Sequence, residues 1–141
     1  MKSAFALLPV LAGLAAPALA QETTAPQLLI ELNAAQPSEK GCRITFLATN
    51  ELGGTLDRAS VEMALFTIGG AIERIVTLDF KGLTEGKTKV LQFELANLDC
   101  ANLGRILIND ITACQGDGLA AEACLAGLVP SVRPETIAFG V

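Results

Sequence analysis

The chain has no histidine, tryptophan or tyrosine, and its six phenylalanines are the only aromatic residues. Without histidine there is no Ser-His-Asp or Cys-His nucleophile, and no imidazole ligand for zinc, copper or haem. Without tryptophan or tyrosine there is no aromatic platform for a sugar, and the preferred anchors of a tight protein interface are missing. Serine beyond the first twenty residues is confined to Ser38, Ser60 and Ser131, none of them in a Gly-x-Ser-x-Gly elbow. No glycine-rich phosphate loop occurs, and Met63 is the only thioether beyond Met1 to serve as a soft copper ligand. An enzyme built from carboxylates alone is what remains of catalysis, so no enzymatic activity and no cofactor are expected.

Positive charge is also scarce. Lysine and arginine number 10 against 15 acidic residues, a net charge of −5. Loss of Lys2 with an N-terminal leader would make the balance more acidic still. The basic residues are scattered, with Lys81, Lys87 and Lys89 their only loose cluster. Such a surface repels nucleic acid and anionic membranes.

The first twenty residues are read as a secretory signal. Lys2 precedes an apolar stretch from Ala4 to about Ala16, and Ala18-Leu19-Ala20 has the small-x-small pattern of a cleavage site. The stretch is broken by Pro9 and is shorter than the roughly 20 residues that span a bilayer. Gln21 follows the cut where a lipoprotein has cysteine, and no Arg-Arg pair precedes the apolar run. General secretion to a periplasm is therefore expected, with release outside the cell as the alternative and no stable membrane insertion afterwards. Cleavage would leave residues 21–141, the size of one ordinary domain. Residues 21–26 read as a flexible leader and 27–141 as the domain.

Within that domain apolar residues recur with period two, the mark of strands with one buried face. Leu28, Ile30 and Leu32 alternate with Leu29, Glu31 and Asn33; Cys42, Ile44, Phe46 and Ala48 alternate with Arg43, Thr45, Leu47 and Thr49. Further strands are expected over Arg58–Ile68 (burying Val61, Met63 and Leu65), Ile72–Phe80, Thr88–Leu95, Arg105–Ala113 and Thr136–Val141. Gly69-Gly70 offers positive-φ positions for a hairpin. One short helix is expected over Leu119–Ala126, capped by Asp117 and closed by Gly127. About seven short strands at even spacing predict an all-β, antiparallel sandwich with one helical insert near the C-terminus.

The run Thr45-Phe46-Leu47-Ala48-Thr49-Asn50, the Gly69-Gly70 hairpin, and Leu83-Thr84-Glu85-Gly86-Lys87 leading into an alternating strand carry a resemblance. Over Leu28–Ala113 the chain resembles the small Ig-like or fibronectin-III-like modules of exported bacterial proteins. It also looks similar to exported proteobacterial proteins, a resemblance that implies no activity. The insert carrying Cys124 departs from the simple module. Strand order as in such a sandwich implies the pairings Cys42–Cys100 and Cys114–Cys124 among the three that four cysteines allow. A four-thiolate zinc site or a redox pair would want Cys-x-x-Cys, and no two of these cysteines are so spaced.

Function is expected in binding: a non-enzymatic accessory module of the cell envelope that meets a protein partner through loops or an edge strand. The apolar residues Phe66, Ile68 and Leu47, on nominally outward positions, are the candidate contacts. The alternative is a small-ligand or calcium site drawing on Asp110 and Asp117, with Asn109 and Glu122 nearby. These residues do not follow the EF-hand spacing, and no metal site is expected.

Overall fold

The computed structural model describes residues 1–5, 8–18 and 24–141. Leu19 and Ala20 of the expected cleavage motif, and residues 21–23 of the expected leader, lie outside the described residues. Residues 1–5 and 8–18 take no regular structure and leave Phe5, Leu8, Val10, Leu11 and Leu14 exposed. Among the described residues no helix is long and apolar enough to cross a membrane.

Eight strands follow: β1 (Gln27–Pro37), β2 (Gly41–Glu51), β3 (Leu56–Thr67), β4 (Ile72–Leu83), β5 (Thr88–Ala96), β6 (Leu103–Gln115), β7 (Leu128–Val132) and β8 (Ala138–Gly140). A one-turn 3-10 helix, Cys100–Asn102, leads into β6, and a four-residue helix α1 (Ala123–Ala126) precedes β7. The strands form two sheets of four, ordered β5-β2-β1-β7 and β4-β3-β6-β8. The chain is an all-β sandwich.

Alternation explains the core. Leu28, Ile30 and Leu32 of β1 and Cys42, Ile44, Phe46 and Ala48 of β2 are buried, and Val61, Met63 and Leu65 of β3 face them with Leu78 and Phe80 of β4 and Ile106 and Ile108 of β6. A register shift in the β3–β6 ladder falls between Ser60 and Val61, both buried, whereas Ala64, in register on the outward face, is buried between its cross-strand neighbours Ile75 and Leu107.

The C-terminal part departs from the sequence expectation in three ways. Leu128–Val132 is an eighth strand, which Pro130 hides from a sequence reading; β7 lies at a sheet edge, where proline is tolerated. The last two strands are not antiparallel: β7 runs parallel to β1, and β8 parallel to β6. The expected strand Thr136–Val141 shortens to Ala138–Gly140. The connection from β6 brings the chain back to the start of β1, where the Leu28 amide donates to the Gly127 carbonyl at 2.8 Å and sets β7 off in the direction of β1.

The expected helix Leu119–Ala126 is likewise only one turn long. Asp117 does not cap it, because Gly116–Leu119 closes a turn with Gly118 at φ 74°. Glu122 stands at the N-cap without a side-chain bond. Gly127 ends the helix at φ −95°, so its need for glycine is close approach rather than handedness. A β-carbon there would meet Pro26 O and Leu52 Cδ2, each at 2.9 Å. At the turn of the β3–β4 hairpin Gly70 takes positive φ, at 88°, and Gly69 does not.

Asn50 reads in sequence as a turn residue, yet it is fully buried and joins two connections. Its Nδ2 donates to Gly54 O (2.8 Å) and Leu83 O (2.9 Å), and its Oδ1 accepts from the Leu52 amide (3.0 Å). Asn50→Ala would strand those backbone groups and is expected to lower stability by about 3 kcal/mol, read from the guanidinium midpoint. A loss below about 1 kcal/mol would show that water replaces the side chain.

Candidate interaction surfaces

The four cysteines form two disulfides, Cys42–Cys100 and Cys114–Cys124, with Cα atoms 5.2 and 6.0 Å apart. These are the pairings the resemblance implies. The first ties the start of β2 to the 3-10 turn that carries the chain from β5 to β6. The second holds α1 against the end of β6. With every cysteine bonded, no thiol is free among the described residues.

The second sheet presents a band of apolar side chains outward. Register places Phe66 of β3 between Ile72 of β4 and Arg105 of β6, and Ala64 between Ile75 and Leu107. Ile72 and Ile75 are more than half exposed, Phe66 and Leu107 half-buried. The Arg105 guanidinium lies 5.6 Å from the centre of the Phe66 ring, a cation–π contact that covers part of it. Ile68 sits in the hairpin beside this band, 68% exposed.

Leu47 does not belong to this group. It projects from β2 on the outer face of the first sheet, between Glu31 and Val90. The structure therefore brings Phe66 and Ile68 together and leaves Leu47 on the opposite side of the sandwich. Ile75 is not among the residues expected from sequence, although the alternation that turns Leu78 and Phe80 inward turns it outward.

The carboxylates are arranged differently from the expectation. Asp110 and Glu122, with Ile111, Ala121, Leu125 and Ala126, line a depression of about 370 Å³ between β6 and α1. Asp117 does not line it. The Asn109 amide is occupied by Glu62 at 2.7 Å. Among the described residues no group of three His, Cys, Asp or Glu side chains is placed to hold a metal ion.

A larger depression, about 660 Å³, lies over Pro37–Lys40, Arg43 and Glu94. There the Glu94 carboxylate accepts from Ser38 Oγ at 2.7 Å and Arg43 Nε at 2.5 Å. The Ser38 hydrogen bond first, and then Arg43, hold its pKa below the usual carboxylate value. That preference favours the fold above the ordinary carboxylate range and is lost as pH falls through the lowered value. The Arg43 and Glu94 side chains are 45% and 40% exposed, so this is a surface network with its charge already satisfied.

No protein-family model matches the chain, and no curated protein or solved structure matches it either.

Proposed function

We propose that the chain is an exported, non-enzymatic interaction module of the cell envelope, Ig-like in strand order, that binds a protein partner. The observation that carries the reading is the outward apolar band of Ile72, Ile75, Phe66 and Leu107 on the second sheet. Contiguous exposed apolar surface on a sheet face suits a partner better than it suits water. Export is supported by the leader-like residues 1–20 and by two disulfides, which persist in oxidising compartments. The Ig-like order is supported by the neighbours β5-β2-β1 and β4-β3-β6, and by a disulfide from the start of β2 to the connection that enters β6.

Cross-linking a tagged copy in intact cells tests this. A reproducible envelope partner is expected from the native chain, and Ile75→Glu is expected to reduce its recovery at least tenfold. Ile75 is 54% exposed, so stability should move by no more than about 0.5 kcal/mol. Undiminished capture by a folded Ile75→Glu chain would remove this face from the function, and empty capture by the native chain would remove the partner.

A further inference from the structure

The free edge of β6 lies beside the depression at α1. Strand β8 covers β6 only at Arg105–Leu107, while β6 runs on to Gln115 along β3. Among the described residues no backbone hydrogen bond joins Ile108–Ala113 to any segment but β3. Asn109 and Thr112 are extra residues that bulge this stretch of the ladder, and the backbone groups of Ile108–Ala113 that do not bond β3 are left for an added strand. Across from them stands α1, held in place by Cys114–Cys124. Leu125 is 55% exposed there, and with Ile111, Ala121 and Ala126 it makes an apolar wall.

The geometry points to a strand-addition site: an extended segment of a partner protein pairs with Ile108–Ala113 and lies between β6 and α1. This rests on the interaction-module reading and names the partner's chemistry. Strand pairing demands an extended backbone, and the apolar wall takes one aliphatic side chain. Charge selects its neighbours. Asp110 and Glu122 flank the groove, Glu62 lies opposite Asp110 in register, and none of the three is in an ion pair among the described residues. The segment is therefore one in which an aliphatic residue alternates with lysine or arginine.

The test uses a capped eight-residue peptide of alternating valine and lysine, with a valine–glutamate peptide as its opposite. Amide hydrogen exchange is followed by NMR on the oxidised chain. The lysine peptide is expected to slow exchange at least tenfold at the amides of Ile108–Ala113 that do not bond β3, and the glutamate peptide to leave them unchanged. Asp110→Lys with Glu122→Lys, both exposed positions, should reverse the preference, and Leu125→Lys should weaken protection by either peptide. No slowing at millimolar lysine peptide, or equal slowing by both, overturns the site. Photo-cross-linkers at Thr112 and Ile75 in cells keep the two readings apart. Capture at Ile75 alone overturns the edge site and leaves the module, whereas capture at neither removes both.

Discussion

Replacing Cys42 and Cys100 together by alanine is expected to cost about 4 kcal/mol, against about 3 kcal/mol for Cys114 and Cys124. The difference comes from loop length. The first bridge closes a separation of 58 residues that holds most of β2 to β5, the second only 10. A longer loop removes more freedom from the unfolded chain, and the increment grows with the logarithm of its length. Burial adds to the first term, because Cys42 is inaccessible at the junction of the two sheets and its truncation leaves a small void. Non-reducing guanidinium unfolding of the two double variants would measure both losses. Equal losses, or a larger one for the short loop, would show that local packing of Cys124 outweighs chain entropy. The short bridge has a second consequence. It alone anchors α1 to β6 covalently, so its removal should weaken the lysine-peptide protection at β6 even where the sandwich stays folded.

How much of this was legible in the sequence depends on the range of the interaction that decides each element. The inward faces of β1, β2 and β3 are set by alternation within each strand, and Leu28, Ile30, Phe46, Met63 and Leu65 are buried as that alternation predicts. The direction of β7 and β8 is set by which distant strand they meet, and nothing in Leu128–Val132 records that β1 is the partner. Pro130 even argues against a strand unless the edge position is known. The helix shortened for a local reason with a distant cause: Gly118 turns the chain with positive φ, and Cys124 must return to Cys114. Asn50 is the reverse case, a polar strand-end residue that bonds Leu52 and Gly54 in the connection that follows it and Leu83 at the distant end of β4. Among the site residues, period two identifies Phe66, Ile68 and Leu47 as outward but cannot assign a strand to a sheet. That is why Leu47 falls away from the other two. The groove at α1 needs a bridge, a strand edge and a helix wall at once, so no single stretch of sequence announces it.

Phe46→Ala is expected to cost about 4 kcal/mol, the largest loss from any single core truncation in this chain. With tryptophan and tyrosine absent, phenylalanine supplies all aromatic burial, and four of these rings meet at one place. Phe46 is fully buried, and its ring centre lies 5.8 Å from Phe80, 6.1 Å from Phe93 and 5.7 Å from Phe139. These neighbours come from β4, β5 and β8, so one side chain of β2 packs against both edges of the opposite sheet and one edge of its own. Leucine at the same site keeps most of the apolar area and should cost about 1.5 kcal/mol. The contact with Phe139 gives the alanine variant a local signature beside the global loss. Strand β8 has only three residues paired to β6, and the Phe46 ring is among the packing that keeps it there. Exchange at Phe139 and Gly140 should therefore rise further in Phe46→Ala than the global loss accounts for, while β1 amides track global stability alone. Uniform acceleration across the sandwich would mean that the ladder to β6, not the ring cluster, holds β8. Selective release of β8 would extend the free edge of β6 back to Arg105, lengthening the surface proposed to receive a strand and making the variant prone to edge-to-edge association.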